Sequence, residues 1–231
     1  MGAFSHTNWI CGEIYSRAVQ FVGAAQSVGL YFDDYIETES QHPFGWAAQL
    51  AAAGALVLPA ARLSGVIQMS SGATASGAAG IASASPLARS IGTSKWYWAS
   101  RLRFTTAIDA QTFMGVGLAD AVLSPTDIFT IGIHGDISTV NFTARQVGAG
   151  TASIDLGVAI DTNTWHLFEL YCKSDSTIYA RVDRGTEQSV AMGTLPSAED
   201  TFGFLTARNG STAADRVMQV DYSACLYPRD S

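Results

Sequence analysis

The stretch KWYWASRLRFTT, residues 95–106, alternates between two kinds of side chain. One set of alternate positions is apolar and contains Trp96, Trp98, Leu102 and Phe104. The other set is more polar and contains Tyr97, Arg101, Arg103 and Thr105. Because successive side chains of a β-strand point to opposite faces of the sheet, this pattern predicts a strand with one face in a core and the other toward solvent or a partner.

Similar alternation recurs along the chain from about Gln41 onward. It is seen in DIFTIGIH (127–134), STVNFTAR (138–145), STIYARVD (176–183) and DRVMQVDYSACLY (215–227). In the last of these, one buried face is expected to carry Met218, Val220, Tyr222, Ala224 and Leu226. Turn sequences such as LSPTD (123–127), DTNT (161–164) and ARNGS (207–211) separate the stretches. The prediction is an all-β fold with little helix, a two-sheet antiparallel β-sandwich or jelly roll.

The charge of the chain limits its partners. Charged residues make up 14% of the sequence, against about a quarter in typical soluble proteins. The net charge is −7 and the 13 Lys and Arg residues are scattered, which argues against a nucleic-acid partner because phosphate binding needs clustered cations. No apolar run predicts a membrane span, and the first residues lack the pattern of a secretory signal. We expect synthesis and folding in a cytoplasm.

The first 30 residues mix aromatic and small side chains without clean alternation. We predict that residues 1–30 form an N-terminal arm and that residues 31–231 form the sandwich. An apolar arm of this kind is expected to dock onto its own domain, a neighbouring subunit or a capsid. The residues expected to bury apolar surface there are Phe4, Trp9, Ile10, Tyr15, Phe21 and Val22.

The stretch YFDDYIETES, residues 31–40, concentrates four carboxylates: Asp33, Asp34, Glu37 and Glu39. In an extended strand Glu37 and Glu39 would share a face about 6 to 7 Å apart, a separation that overlaps the one used by glycoside hydrolases. Catalysis also requires surroundings that separate the two pKa values, and the neighbouring Thr38 and Ser40 do not suggest them. We therefore expect a solvated edge or an inter-subunit contact. Adjacent Asp side chains in a strand face opposite ways, so no metal site is predicted here.

The remaining candidate motifs are weak. Trp96, Trp98 and Trp165 lie within predicted strands and are expected in the core, whereas Trp9 and Trp46 stay open as sugar-stacking positions. FMGVGLAD (113–120) lacks the third glycine and the helix of a nucleotide-binding loop. The three cysteines are far apart and are expected to be free thiols. We predict no catalytic residue, metal or cofactor.

Three further segments carry a family resemblance. FDDY followed by PFGWAAQ, then SGVIQMSSGATASGAAGI, and finally MQVDYSACLYP resemble the concanavalin A-like jelly-roll domains of tailed-phage virion proteins. KWYWASRLRFTT before GVGLAD, and NTWHLFELYC with STIYARVDRG, are similar to the middle strands of that family. The resemblance covers roughly residues 31–228. It implies a two-sheet antiparallel sandwich that serves as a virion module, often as a trimer.

Three functions remain open at this point. The first is a capsid decoration or cement protein, a homotrimer that contacts the major capsid protein or other virion proteins on the particle surface after synthesis in a bacterial host. In that case the arm and the carboxylates Asp33, Asp34, Glu37 and Glu39 would lie at subunit contacts. The second is a carbohydrate- or receptor-binding module of a tail fibre or baseplate. The third is a glycoside hydrolase with Glu37 and Glu39 as the pair; the glucanase motif E-x-D-x-x-E is absent from the sequence.

Overall fold

A computed structural model describes the chain in segments that are all built from β-strands and their connections. The described residues are 28–33, 46–57, 66–83, 88–89, 95–106, 111–118, 128–133, 141–146, 150–173, 177–191, 200–209 and 213–228. No helix occurs in these segments, and so none of them contains a helix that could cross a membrane. The predicted all-β fold is confirmed.

The strands form two antiparallel sheets. Sheet I has the order β14 (Gln188–Ala191), β13 (Thr177–Val182), β12 (His166–Lys173), β7 (Lys95–Phe104), β16 (Val217–Pro228), β4 (Ile67–Ser70) and β3 (Ala55–Val57), with β1 (Val28–Asp33) also paired to β16. Sheet II has the order β11 (Gly150–Asp155), β10 (Asn141–Gln146), β9 (Ile128–Ile133), β8 (Gln111–Leu118), β15 (Asp200–Arg208), β5 (Ala78–Ser83) and β2 (Trp46–Ala51), with β6 (Ala88–Arg89) paired to β15. Each sheet combines hairpins of consecutive strands with pairs that are distant in sequence, such as β7 with β16 and β8 with β15, as expected for a jelly roll.

The hydrophobic core lies between the sheets. Strand β7 contributes the four apolar side chains predicted from its alternation: Trp96, Trp98, Leu102 and Phe104, all buried. Strand β13 contributes Ile178, Ala180 and Val182, again at alternate positions. Met114 and Leu205 pack against them from sheet II. Burial of each large apolar side chain contributes about 1.5–3 kcal/mol, so this layer supplies much of the driving force for closing the sandwich.

Strand β16 departs from the predicted alternation. Its pairing with β7 shifts between Val220 and Tyr222, so Asp221 is an extra residue in the register, a β-bulge. Met218 and Val220 lie in the core, whereas Tyr222 and Ala224 lie in a separate cluster with Tyr97 on the opposite face. The expectation that all of these side chains share one buried face is wrong, because a single inserted residue exchanges the faces of everything that follows it.

The first described strand, β1, begins at Val28, three residues before the predicted start of the sandwich. It is antiparallel to the end of β16, and its last residue, Asp33, lies opposite Ser223. The predicted contacts of the arm and of the other carboxylates (Phe4, Trp9, Ile10, Tyr15, Phe21, Val22, Asp34, Glu37 and Glu39) fall outside the described residues. These interface assignments stay predictions.

At one end of the sandwich, Asn209 fixes the β4–β5 connection. Its Nδ2 donates to the carbonyl oxygens of Gly72 and Thr74 at 2.9 and 2.6 Å. Gly72 has a φ of +72°, and a Cβ there would lie 2.4 Å from the carbonyl oxygen of Ala53, so only glycine fits. Asn209 is fully buried, and both bonds use its amide nitrogen.

Candidate binding surface on the outer face of sheet I

The face of sheet I that points away from the core is the best-defined polar surface of the described chain. Antiparallel register aligns side chains of neighbouring strands into rows that cross the sheet. Four of these rows are Gln68–Gln219–Arg103–Trp165, Tyr222–Arg101–Leu167, Ala224–Ala99–Glu169–Arg181, and Tyr97–Tyr171–Tyr179. The first two rows are mostly half-buried, and the last two contain fully buried side chains.

We call the first of these, Gln68–Gln219–Arg103–Trp165, the polar row. Arg103 Nε donates to Gln219 Oε1 at 2.5 Å, and Gln219 Nε2 donates to Gln68 Oε1 at 2.8 Å. On the other side the Arg103 guanidinium lies over the Trp165 ring, 4.7 Å from its centroid. Three strands, β4, β16 and β7, and Trp165, which directly precedes β12, therefore meet in one continuous line of polar and aromatic contacts.

The hydrogen bonds of the polar row all run in one direction, from Arg103 through Gln219 to Gln68. A guanidinium can only donate hydrogen bonds, so Gln219 must present its oxygen to Arg103 and its nitrogen to Gln68. Gln68 must in turn present its oxygen to Gln219, which leaves the Gln68 amide nitrogen as a spare donor. The side-chain acceptors of the row are thus engaged, and its unused groups are donors.

Arg101 extends the row along β7. Its guanidinium lies 5.1 Å from the centroid of the Trp165 ring, and its Nη1 forms an ion pair with Asp221 Oδ2 at 2.5 Å. The extra residue of the bulge therefore places a carboxylate beside Arg101. The charge of Arg101 is neutralised, whereas no carboxylate of the described residues lies within ion-pair distance of Arg103.

The opposite end of the face holds a buried ion pair. Arg181 donates from Nε and Nη2 to the two oxygens of Glu169, each at 2.6 Å, and Tyr97 Oη donates to Glu169 Oε1 at 2.5 Å. Glu169 is completely buried although it points away from the core. Burial alone would lower the pKa of Arg181, but the hydrogen bond and the charge of Glu169 raise it above its usual value. Glu169 therefore stabilises the positive charge of Arg181.

The tyrosine row continues this arrangement. The rings of Tyr171 and Tyr179 stack 5.5 Å apart, and Lys173 Nζ lies 3.9 Å from the centroid of Tyr179. Glu187 accepts hydrogen bonds from both Tyr171 and Lys173. Burial, then the bond to Glu187, raises the pKa of Tyr171. Burial would also raise the pKa of Glu187, but its hydrogen bonds to Lys173 and Tyr171 outweigh that effect and lower it.

His166 is the first residue of β12 and lies on the core side of sheet I, opposite Leu102. Its Nδ1 lies 2.6 Å from Asp183 Oδ2, and the backbone N–H of Leu167 donates to Asp183 Oδ1 at 2.8 Å. Asp183 and Arg184 form the β13–β14 turn with positive φ angles of 48° and 62°. The His166 Nε2 atom is buried, and no described residue hydrogen-bonds to it. The carboxylate of Asp183 therefore ties the turn to the start of β12.

Sequence reasoning identified only parts of this surface. Tyr97, Arg101 and Arg103 were correctly predicted on the face opposite the core. The predicted free thiol of Cys172 lies buried in the core between the sheets. Trp165 was expected in the core, but it is half-buried on the outer face over two arginines. The glutamine partners of Arg103 come from distant parts of the chain, and only the sheet register reveals them.

Within the described residues, no group of three or more His, Cys, Asp or Glu side chains could hold a metal ion. The carboxylates of the surface instead accept hydrogen bonds from basic and tyrosyl side chains.

No family model matches the chain, and no curated protein is similar to it in sequence. Solved structures are similar to it in fold. A protein of unknown function from Shewanella oneidensis MR-1 has a TM-score of 0.61 at 14% identity, covering 100% of this chain and 99% of that one. Peanut lectin has a TM-score of 0.58 at 10% identity, covering 89% and 99% of the two chains. The CBM2 module of the evolved Dit protein of Lactobacillus casei BL23 phage J-1 has a TM-score of 0.57 at 12% identity, also covering 89% and 99%.

The two sheets and these similarities define the class of the protein. The chain is an antiparallel jelly-roll sandwich of the concanavalin A-like, lectin-like type. A module of a phage protein is among the structures that share this fold. At these identities the likeness establishes the fold and leaves the function to be argued from the chain itself.

Proposed function

We propose that the chain is a non-enzymatic structural protein of a tailed-phage virion, and specifically a capsid decoration or cement protein that stabilises the head as a homotrimer. The resemblance of its sequence to virion jelly-roll domains supports the virion assignment, and the fold is consistent with it. In this role the contacts with the major capsid protein are broad and apolar, and the arm supplies part of them.

The proposal that the chain is not an enzyme is supported by the hydrogen bonding and the pKa values of the carboxylates around the outer face of sheet I. Glu169, Glu187, Asp183 and Asp221 each accept a hydrogen bond from a basic or histidine side chain. The pKa values of Glu187 and Asp183 are lowered as a result, despite burial. A general acid needs the opposite, a carboxyl whose pKa is raised toward neutrality. These groups stabilise structure.

Truncation of the arm tests the assembly part of this proposal. Because β1 begins at Val28, the truncation should remove residues 1–27 and leave the strand intact. We expect loss of the trimer in light scattering and reduced occupancy on particles, with an unchanged thermal midpoint of the sandwich. Full trimer formation and full occupancy without residues 1–27 would contradict the proposed role of the arm.

The enzymatic alternative is tested directly by the double variant Glu37→Gln/Glu39→Gln. The proposal expects no polysaccharide cleavage from either the native chain or the variant. A hydrolytic activity that the native chain shows and the double variant lacks would assign the chain to glycoside hydrolases instead.

One specific observation favours a second candidate, a carbohydrate-binding module of a tail or baseplate. Trp165 lies half-buried on an outer sheet face, beside cationic and amide side chains. Aromatic faces next to hydrogen-bonding groups are typical of ligand sites. A phage Dit module with the same fold is described as a CBM2 module. Trp46, the other candidate for sugar stacking, lies in β2 of sheet II.

A further inference from the structure

We propose that the polar row Gln68–Gln219–Arg103–Trp165 binds an anionic saccharide, with a sugar ring against Trp165 and its carboxylate or phosphate on Arg103. This inference goes beyond the proposed virion role, since the site would work equally on a head or a tail protein. It rests on three independent properties of the row: its unused hydrogen-bonding groups, its charge and its shape.

The unused groups of the row are donors. The oxygens of Gln219 and Gln68 already accept from Arg103 and Gln219. Within the described residues, Arg103 donates only from Nε, and the indole N–H of Trp165 and the Gln68 amide nitrogen have no acceptor. A surface with surplus donors is complementary to a ligand rich in acceptors, and a carboxylate or phosphate offers acceptors only.

The charge of the row selects an anion of low charge. Arg101 is neutralised by Asp221, whereas Arg103 has only the neutral Gln219 as its hydrogen-bond partner in the described part of the chain. A planar guanidinium with free N–H groups binds carboxylates and phosphates in bidentate fashion. The single guanidinium of Arg103 suits a ligand with one acidic group, and the net charge of −7 disfavours a nucleic acid.

The shape of the row suits a short, extended oligosaccharide. It crosses four neighbouring strands, which is about 14 Å at the usual spacing between strands. Trp165 stands at one end, where its ring provides an apolar surface, and amide groups occupy the other end. The two contacts from Arg101 and Arg103 hold the indole in place. Such preorganisation reduces the entropy lost on binding.

Calorimetric titration of the full chain with three probes of equal length tests the proposal: an oligoglucuronate, a sugar-phosphate oligomer and a neutral gluco-oligosaccharide. We expect at least one of the two anionic probes to bind roughly tenfold or more tightly than the neutral one, and to weaken as salt is added. The comparison between uronate and phosphate identifies which anion the site prefers. No binding of either anionic probe would overturn the proposal.

Variants locate the site. Arg103→Gln and Trp165→Ala should each weaken anionic binding by roughly tenfold or more, whereas Trp165→Phe should retain part of it. Lys95→Gln is the matched control, because it removes the same charge from the far end of the same strand. Thermal unfolding confirms that each variant is folded. Wild-type affinity in both Arg103→Gln and Trp165→Phe would place the binding elsewhere and overturn the proposal.

The rival occupant is an acidic segment of a second copy of the chain. Light scattering of Arg103→Gln separates the two ideas, since a saccharide site predicts an unchanged molar mass. A change of mass would make the row a subunit contact and overturn the saccharide proposal. Because copy number and trimer formation are measured separately, failure of saccharide binding leaves the proposed virion role untouched.

Discussion

Arg181 and Glu169 form a bidentate ion pair, with both N–O distances at 2.6 Å, on the side of sheet I that faces away from the core. Glu169 is completely buried there. A carboxylate without contact to water is stable only while its partners remain. The outer face of this sheet is therefore a second packed layer, and its integrity depends on one arginine.

Removal of that arginine should destabilise the chain strongly. Arg181→Met leaves Glu169 as an uncompensated buried charge, and we expect the free energy of unfolding to fall by about 3–5 kcal/mol. Urea denaturation measures this loss. Lys173→Met, which breaks a half-exposed pair with Glu187, is the control and should cost about 1 kcal/mol or less. Equal effects of the two variants would refute the view that burial sets the importance of the pair.

The stability of the fold should decrease in acid. Hydrogen bonds from His166 and from the Leu167 backbone outweigh burial and lower the pKa of Asp183 from its ordinary value of 3.8. A carboxyl with a lowered folded-state pKa stabilises the fold above its unfolded pKa, and this stabilisation disappears as pH falls through the folded pKa. We therefore expect the thermal midpoint to decrease as the pH is lowered below about 4.

The variant Asp183→Asn isolates this contribution. It should lower the thermal midpoint at neutral pH, and the difference from wild type should shrink as the pH falls below 3.8. A difference that stays constant across the whole pH range would show that the charge of Asp183 does not contribute.

Removal of the bulge residue Asp221 should preserve the side-chain faces of β16. Deletion of Asp221 places Tyr222 directly after Val220 and opposite Arg101, so Tyr222 and Ala224 stay on the outer face and Ser223 stays on the core side, and we expect a chain that folds. Asp221→Ala keeps the extra residue and loses only a partly exposed ion pair, so it should cost about 1 kcal/mol or less. Circular dichroism and denaturant unfolding of the two variants check this. A deletion variant that fails to fold, beside a folded Asp221→Ala variant, would show that the extra residue itself is required for β16.

Asn209 should be required for the β4–β5 connection. Asn209→Ala leaves the carbonyl oxygens of Gly72 and Thr74 without their buried donor, and we expect a loss of about 2 kcal/mol. Thr74→Ala, which retains the carbonyl and removes only an exposed side chain, should have little effect. A loss in Thr74→Ala that matches the loss in Asn209→Ala would contradict the role assigned to the Asn209 amide.

The extent to which the sequence predicted this structure follows from where alternation is unambiguous. In β7, large apolar and charged side chains alternate, so both faces were assigned correctly. At the start of β12, both Leu167 and Phe168 are apolar, and the phase cannot be read from the sequence. The structure places Phe168 in the core, so that Trp165 and Glu169 face outward. The bulge in β16 is determined by the pairing with β7. Apolar and polar residues alternate through Asp221 in the sequence without interruption, so the sequence alone does not indicate the bulge.

The candidate site was less predictable than the fold for a similar reason. Arg103 is distant in sequence from Gln68, Gln219 and Trp165, and the four meet only because β4, β16, β7 and β12 are neighbours. Single-sequence patterns indicate the face of a strand but not the neighbour of that strand.

The proposed role requires the chain to be an abundant structural component of a phage head. Quantitative mass spectrometry of purified particles, with the major capsid protein as internal standard, measures its copy number. A decoration protein is predicted at hundreds of copies per particle, in a fixed ratio to the capsid protein. A few copies per particle, associated with isolated tails, would contradict that role.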